Sequence, residues 1–349
     1  MLVIHRTGLL DGKKRNYMLN FAIVGCGAIG NRHALQGGAF GKLQAVCDVV
    51  EDKASALGKK YAAKAYSRVE DLLQYEKGLD ILAVCTPNGL HAVHTIQALR
   101  AGLHVICEKP MALEAGDCRQ MIQEAEKSGR QLFVVKQNRF NPPVAAVKQL
   151  LDEGKLGRIY SVQINCCWNR TAAYYTNSWH GTRHLDGGIL FTQFSHFIDL
   201  LYWMIGDVRE VAAFSDNFAH KGLIEFEDTG VACFRFENGA LGSLHFTINS
   251  YEKNMEGSVT IVAEKGTVKI GGQYLNTLEY RQVGQDIPGE LPPGNPPNEY
   301  GAYQGSMSNH DKMYHHVVEV LTKGMPNQFS GYEGLKTVEI IEKIYKSAS

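Results

Sequence analysis

Glycines and an acidic residue near the start of the chain have the spacing of a dinucleotide-binding turn. Gly25, Gly27 and Gly30 form a G-x-G-x-x-G pattern directly after an apolar run, and Asp48 ends the next apolar run. In such a pattern the glycines permit a tight turn, close approach of a pyrophosphate and close packing of helix on strand, while the carboxylate binds a ribose diol. The alternative is a glycine-rich turn without a ligand. The pattern predicts a dinucleotide site that comprises Gly25, Gly27, Ala28, Ile29, Gly30 and Asp48.

The acidic residue of this pattern also predicts the type of dinucleotide. The charge of Asp48 would repel a 2′-phosphate, and the next residues, Val49 to Glu51, include no arginine that would bind one. We therefore expect NAD as the cofactor in preference to NADP.

A lysine has the position expected of a group that contacts a substrate. Lys109 follows the apolar run His104–Cys107 and stands between Glu108 and Pro110. Ligands of doubly wound sheets bind at the carboxyl ends of the strands, and an ammonium there would orient a substrate hydroxyl and lower its pKa. The alternative is an ordinary surface lysine.

A histidine in an apolar segment is the candidate proton acceptor. The run Ile189–Met204 is too short and too polar to cross a bilayer and predicts one buried helix, in which His196, Asp199 and Trp203 share a face. A structural histidine satisfied by Asp199 is the alternative. The preceding Asp186-Gly187-Gly188 permits close backbone approach and favours a site. The other histidine pairs form no recognisable metal cluster, so no metal is expected.

The elements that carry these residues alternate in the first part of the chain, which indicates βαβ units and a parallel sheet. The predicted strands are Phe21–Val24, Leu43–Cys47, Ile81–Cys85, His104–Cys107 and Leu132–Val135. The predicted helices are Ala28–Gly37, Asp52–Ala62, Leu90–Arg100 and Glu114–Lys127. The fold class of this part is a doubly wound, Rossmann-type α/β domain.

After a helix that ends near Asp152 the pattern becomes dominated by β segments joined by short turns, which predicts an α+β domain on a large, mostly antiparallel sheet. The predicted strands are Ile159–Trp168, Val208–Phe214, Val231–Glu237, Ala240–Ile248, Ser258–Ala263, Thr267–Ile270 and Thr277–Arg281. Between Gly284 and Asn309 lie five of the ten prolines, which predicts a lid or an oligomer contact. Helices at His310–Lys323 and Gly331–Ser347 end the chain.

The domain organisation that follows has a non-essential extension at 1–17, an NAD-binding domain at 18–138 and a substrate-binding and oligomerisation domain at 139–349, whose last helix packs back on the first domain. The 349 residues contain 36 Lys plus Arg and 36 Asp plus Glu, so no positive charge excess exists for nucleic acid or an anionic membrane. We read no secretory signal, and the eight cysteines lack C-x-x-C pairs and suggest buried side chains in a cytoplasmic protein.

Taken together, these residues resemble the Gfo/Idh/MocA family of NAD(P)-dependent sugar oxidoreductases. The matching motifs are Gly25 to Gly30, Thr86-Pro87-Asn88 with His91, Glu108-Lys109-Pro110, and Gly187-Gly188 followed by His196 and Asp199. The resemblance implies that Lys109 contacts the hydroxyl being oxidised and that His196 takes its proton. Many members carry an Asp four residues before this histidine, where this chain has Thr192, which argues against a plain inositol dehydrogenase.

The resemblance also implies the remaining site residues. The expected cofactor contacts beyond the glycine turn and Asp48 are Thr86, Pro87, Asn88, His91, Glu108, Lys109, Gln137 and Trp179. The expected substrate contacts, some of which have a surface charge as their alternative, are Lys109, Arg139, Asn165, Arg170, Trp179, Arg183, His184, Gln193 and His196.

Four further segments look like the branch of the family that oxidises UDP-N-acetylglucosaminuronate at its 3-hydroxyl in surface-polysaccharide synthesis. They are 135–139, 179–182, 228–231 and 264–268. The family also implies a dimer or tetramer. The alternatives are another sugar or inositol dehydrogenase, an NAD-dependent glycosidase of the same family, and a cofactor-binding regulatory protein without turnover.

Overall fold

A computed structural model describes residues 18–284, 291–299 and 304–348 of the chain. The predicted extension at 1–17 and part of the proline-rich segment lie outside these residues. In the ranges that are described, no helix is both long and apolar enough to cross a bilayer.

The first part of the chain forms a six-stranded sheet in the order β3-β2-β1-β4-β5-β6, and every pairing in it is parallel. The central strands are continuous runs of buried apolar residues because helices cover both faces of the sheet. Its elements are β1 Leu19–Val24, α1 Ala28–Phe40, β2 Gly41–Cys47, α2 Glu51–Tyr61, β3 Lys64–Tyr66, α3 Val69–Tyr75, β4 Ile81–Val84, α4 His91–Arg100, β5 His104–Cys107, α5 Ala115–Ser128 and β6 Leu132–Val134. The predicted Rossmann-type α/β class is confirmed.

One strand and one helix of this part of the chain were not predicted from the sequence. Strand β3 has only three residues, and its Lys64 and Ala65 side chains are exposed at the sheet edge. Helix α3 follows it after two residues and has only seven. Neither element carries the long apolar periodicity on which the prediction relied.

The second part of the chain forms a seven-stranded sheet in the order β13-β12-β11-β7-β10-β9-β8. Its elements are α6 Pro142–Asp152, β7 Ile159–Cys167, α7 Ala172–Tyr175, α8 Ile189–Thr192, α9 Ser195–Ile205, β8 Val208–Asp216, β9 Thr229–Phe236, β10 Leu241–Thr247, β11 Glu256–Ala263, β12 Gly266–Gly271 and β13 Thr277–Val283. The pairing of β7 with β10 is parallel and the others are antiparallel. The α+β class with a mostly antiparallel sheet is therefore confirmed.

The predicted single helix Ile189–Met204 is wrong, because the chain breaks between α8 and α9 at Gln193 and Phe194. The Phe194 ring is fully buried and packs 5.2 Å from the Trp168 ring, centroid to centroid. At the break, the Thr192 carbonyl oxygen accepts a hydrogen bond from a side chain of the other domain, as described below.

One face of the seven-stranded sheet packs on α9 and the other face is open. Phe214, Val231 and Leu241, on three neighbouring strands, are exposed on the open face. Cys233 is exposed there as well, whereas the other seven cysteines are buried as predicted. The open face is therefore unusually apolar for a surface that contacts only water.

The C-terminal elements return to the first sheet. Strands β14 Pro297–Glu299 and β15 Gln304–Met307 pair with each other within the predicted proline-rich segment, and α10 His310–Lys323 packs on α1. The last helix, α11 Gly331–Ala348, packs against α5 of the first sheet as well as α9 and β8. The domain boundary at residue 139 therefore stays a prediction, because the C-terminal helices of residues 139–349 pack on the Rossmann sheet's helices.

Candidate active site

A cavity of about 750 Å³ lies where the two parts of the chain meet. One wall consists of the carboxyl ends of β1, β2, β4 and β5 with the turns that follow them. The opposite wall consists of residues between β7 and α9, together with Gly305 and Ser306 of β15. Most of the residues predicted to carry the chemistry line this cavity.

The glycine turn between β1 and α1 forms the cradle at one end. Gly25 has a φ of +96°, and a Cβ atom there would lie 2.4 Å from the Cys85 carbonyl oxygen. A Cβ on Gly30 would lie 1.9 Å from the Gly25 carbonyl oxygen, so this residue serves the packing of helix on strand and does not line the cavity. Gly27, Ala28 and Ile29 line it, and a Cβ on Gly27 would meet no atom within 4 Å. The open space at Gly27 and the N-terminus of α1 fit a pyrophosphate.

Asp48 lies at the same end, where β2 stops. Its two carboxylate oxygens accept hydrogen bonds from the backbone N–H groups of Cys26 (2.7 Å) and Val50 (2.8 Å). These bonds orient the carboxylate and leave further lone pairs for a ribose diol. The cavity thus fits NAD. Lys53 and Arg68 also line this end, and they were not predicted because neither belongs to a motif.

The turn after β4 and the residues after β5 lie side by side in the first wall of the cavity, because these two strands are neighbours. Thr86, Pro87, Asn88 and His91, which were predicted as cofactor contacts, line the cavity. The His91 ring contacts the carbonyl oxygen of Thr86 (2.9 Å) and that of Pro110 (2.6 Å), so it links the two segments.

Glu108 is a buried member of this wall. One of its carboxylate oxygens lies 2.8 Å from His33 Nε2 and 3.1 Å from His310 Nε2, and the other accepts from the Lys109 N–H. Burial raises the pKa of Glu108, but the bonds from His310 and His33 outweigh it and hold the pKa well below its usual value. The three side chains are close enough to resemble a metal-ligand set. Since both rings already contact the same carboxylate oxygen, we interpret them as a network that fixes Glu108, and the absence of a metal stays a prediction.

Lys109 is half-buried in the cavity wall. Its Nζ donates a hydrogen bond to the Thr192 carbonyl oxygen at the break between α8 and α9 (2.6 Å). Burial lowers the pKa of Lys109 to about 8, although the charges of Glu108 and Asp186 oppose the shift. A substantial fraction of this lysine is therefore protonated at neutral pH.

His196 lies at the start of α9 and lines the same cavity. Burial and the charge of Lys109 hold its pKa well below the usual value. The Gln137 side-chain amide contacts His196 Nε2 (3.1 Å) and Ser306 Oγ (3.3 Å). A neutral imidazole with an available lone pair is what a proton acceptor requires.

Three of the predicted substrate residues line the opposite wall: Arg170, Trp179 and Gln193. The guanidinium of Arg170 lies over the rings of Trp168 (5.2 Å) and Tyr174 (5.4 Å). The His180 ring packs between Trp179 and Tyr174, with ring centroids 3.8 Å and 4.3 Å away. Arginine and stacked rings together suit a ligand that combines anionic groups with flat or apolar surfaces.

Arg139, which was predicted as a substrate contact, does not line the cavity. Its guanidinium is buried and donates to Asp199 (2.7 and 2.8 Å) and to Glu333 (2.7 Å). Lys136 Nζ lies 2.7 Å from the same Asp199. The alternative in which Asp199 satisfies His196 is therefore wrong, because Asp199 binds these two cations.

The other predicted substrate residues also lie outside the cavity. Asn165 belongs to β7 and shares the open face of the sheet with the exposed Gln163. Arg183 is exposed and donates to the Glu225 carbonyl oxygen (2.7 Å), and His184 is exposed on the same loop. Leu185, next to His184, lines the cavity, but these three side chains do not.

A dinucleotide cradle that shares one cavity with a lysine and a histidine defines the class as Rossmann-fold oxidoreductases. Residues 19–136 match the model of the oxidoreductase family with an NAD-binding Rossmann fold, and residues 144–269 match the GFO/IDH/MocA C-terminal domain. The chain belongs to the Gfo/Idh/MocA family of NAD-dependent oxidoreductases.

Two solved structures are similar over nearly the whole chain. The WlbA dehydrogenase from Bordetella pertussis in complex with NADH and UDP-GlcNAcA is 35% identical, with a TM-score of 0.85, and the match covers 95% of this chain and 97% of that one. The WlbA dehydrogenase from Chromobacterium violaceum, in complex with the same two molecules, is 33% identical with a TM-score of 0.86, and the match covers 97% and 96%.

A curated relative matches over a shorter range. The 1-carboxy-3-chloro-3,4-dihydroxycyclohexa-1,5-diene dehydrogenase of Comamonas testosteroni is 31% identical over 187 residues, which are 49% of this chain and 45% of that enzyme. The matched range thus spans less than half of that relative's length.

Proposed function

We propose that the protein oxidises the 3-hydroxyl of UDP-N-acetylglucosaminuronate to a ketone with NAD as the oxidant. The observation that carries the reaction type is the position of Lys109 and His196 in one cavity with the dinucleotide cradle. The similarity to two WlbA dehydrogenases, solved with UDP-GlcNAcA, supports the choice of substrate.

Lys109 and His196 have different roles at the substrate hydroxyl. The Lys109 ammonium donates a hydrogen bond to the substrate oxygen and stabilises the negative charge that develops there. His196, neutral because of burial, accepts the hydroxyl proton on a ring nitrogen. When bound, NAD supplies the hydride acceptor. Gln137 holds the imidazole in place until the substrate hydroxyl binds.

The opposite wall suits the charge of the proposed substrate. A UDP-linked uronate carries a diphosphate and a carboxylate, and arginine binds both groups bidentately. Arg170 is the arginine of this wall, and Trp179 with its neighbouring rings offers a surface on which a sugar or a base packs. In this proposal Arg170, Trp179 and Gln193 contact the substrate.

Absorbance at the NADH band tests the proposal. Purified protein is mixed with NAD and, separately, with UDP-N-acetylglucosaminuronate, UDP-N-acetylglucosamine, myo-inositol and glucose. We expect NADH to form with the uronate alone. Formation with UDP-N-acetylglucosamine would show that the carboxylate is not recognised, and formation with inositol or glucose alone would overturn the nucleotide-sugar proposal.

The same assay separates the alternatives within and outside the family. A glycosidase that oxidises and then re-reduces its sugar would release products without net formation of NADH. A regulatory protein would bind NAD without either outcome. The presence of both Lys109 and His196 in the cavity favours turnover, because a sensor needs neither group.

We further propose a homo-oligomer that assembles through the open face of the seven-stranded sheet in the cytoplasm. Phe214, Val231 and Leu241 give this face an apolar surface on neighbouring strands. Light scattering after gel filtration should give a multiple of 38.7 kDa, and Val231→Glu should lower that multiple. A monomeric wild-type protein would contradict the proposal.

A further inference from the structure

A carboxylate with no assigned role lies behind the lysine. Asp186 belongs to the loop before α8, and its side chain is completely buried. A buried carboxylate is costly unless hydrogen bonds and a nearby positive charge compensate it. Its partners therefore indicate what the carboxylate does.

The two oxygens of Asp186 have different partners. Oδ1 accepts a hydrogen bond from the Thr192 hydroxyl. Oδ2 accepts from the Gly181 N–H (2.8 Å) and lies 3.6 Å from His180 Nδ1. Asp186 therefore contacts both the residue that binds Lys109 and the ring between Trp179 and Tyr174.

Thr192 connects this carboxylate to the catalytic wall. Its hydroxyl donates to Asp186 and accepts from the Asn88 side-chain amide (2.7 Å), while its carbonyl oxygen accepts from Lys109 Nζ (2.6 Å). The Asn88 amide also donates to the Asp186 carbonyl oxygen (2.8 Å). These bonds leave the Thr192 peptide little freedom to rotate away from the ammonium.

The charges around Lys109 are mixed. Glu108 and Asp186 favour its protonated form, whereas Arg170 and Lys136 disfavour it, and neutral His196 lies nearby. Glu108 is already engaged by His33 and His310. Among the described residues, the basic side chain paired with Asp186 is His180, 3.6 Å away, and Asp186 is, after Glu108, the second charge that favours the protonated lysine.

We propose that Asp186 is a positioning residue, which fixes the Thr192 carbonyl against the Lys109 ammonium and supplies negative charge that keeps this ammonium protonated. It also anchors His180, so that one carboxylate orients both walls of the substrate cavity. This role rests on the proposed function of Lys109, but the geometry exists without a substrate and is testable without one.

The test measures the protonation of Lys109 directly. Trace acetylation with acetic anhydride at a series of pH values, followed by mass spectrometry of the peptide that contains Lys109, gives the pKa of this one amine. In Asp186→Asn we expect this pKa to fall by about 1 pH unit, because the neighbouring negative charge is lost. Thr192→Val should give a smaller fall, because the hydroxyl link is broken, and Thr192→Ser should restore the wild-type value.

Glu227→Gln is the matched control. Glu227 is another buried carboxylate of the same half, and its partner is the Tyr345 hydroxyl (2.6 Å) and not the Lys109 wall. In Glu227→Gln we expect the pKa of Lys109 to stay at its wild-type value. An unchanged value in both Asp186→Asn and Thr192→Val, or an equal fall in Glu227→Gln, would overturn the proposal. If Asp186→Asn does not fold, the Thr192→Val and Thr192→Ser pair decides.

The pH dependence of turnover provides a second readout once a substrate is known. Activity should fall on the alkaline side as Lys109 loses its proton, near pH 8 in the wild type. This limb should move to lower pH in Asp186→Asn, whereas a merely structural role would lower kcat at every pH alike. Because acetylation needs no substrate, a wrong choice of substrate would leave the first test valid.

Discussion

The two walls of the cavity are built by different means. In the dinucleotide wall each site residue follows a buried parallel strand: Gly25 follows β1, Asp48 follows β2, Thr86 lies beyond β4 and Lys109 beyond β5. The substrate wall has no such rule, because its side chains come from the irregular stretch between β7 and α9 and from β15. A strand end fixes the place of a residue through the backbone, whereas the second wall depends on side-chain packing.

The largest expected effect is at the point where the two walls meet. Lys109→Ala and His196→Ala should each lower kcat by about 10²–10⁴-fold, the usual contribution of a positioned acid or base. Stopped-flow NADH formation measures kcat, and fluorescence titration with NADH checks that the cofactor still binds. Wild-type turnover in either variant would show that its side chain takes no part in the reaction.

The substrate wall is tested by comparing the effects of substituting two arginines, one in the cavity and one outside it. Arg139→Met should destabilise the fold by about 3–5 kcal/mol in urea unfolding, because Asp199 and Glu333 lose a buried cation. Arg170→Met should chiefly raise the KM of the nucleotide sugar, because Arg170 lines the cavity. A raised KM with unchanged stability in Arg139→Met would support the original prediction for that residue.

A buried acid outside both walls should make stability depend on pH. Burial raises the pKa of Glu227 to about 7 from an ordinary 4.5, despite the bond from Tyr345. Between these pH values the folded protein holds a proton that the unfolded chain releases, so stability falls as pH rises, by up to about 3 kcal/mol. Glu227→Gln should remove this slope in urea titrations at pH 5 and pH 8. The same pH dependence of the unfolding free energy in Glu227→Gln would contradict the raised pKa of Glu227.

The smallest expected effect concerns the preference for NAD over NADP at the dinucleotide wall. Replacing Asp48 by Ser and Val49 by Arg together should weaken NAD binding by about tenfold to a hundredfold, because the ribose loses a charged acceptor, and improve that of NADP. The ratio of the two dissociation constants is the measurement. An unchanged ratio would show that Lys53 and Arg68, which line the same end, already dominate the preference.

The difference between the walls also explains what could be predicted. Gly25, Asp48 and Lys109 were found because each follows a long apolar run, and the strand-end rule needs only that local signal. The ion pairs of Arg139 could not be predicted because its partners, Asp199 and Glu333, lie 60 and 194 residues away in the sequence. No local pattern shows that a charge is already paired over such distances.

The break between α8 and α9 and the contact of Ser306 were missed for the same reason. The residues Ile189 to Met204 have a helical composition, and the Phe194 ring at the break packs on Trp168, which is distant in sequence. Ser306 contacts Gln137 across 169 residues of sequence, from a segment that was predicted to be a lid or an oligomer contact. Contacts of this range follow from the tertiary fold alone.

The way the last helices cover the first sheet has a consequence during synthesis. Met313, Tyr314 and Val317 of α10 belong to the same core as Phe21 and Ile23 of β1. The ribosome makes these elements about 180 residues after β6, which at ordinary elongation rates means a wait of roughly 10–35 s. For that time the nascent Rossmann sheet has part of one apolar face uncovered. Chaperone binding to chains truncated before α10 should therefore be strong, and it should vanish once α10 has emerged.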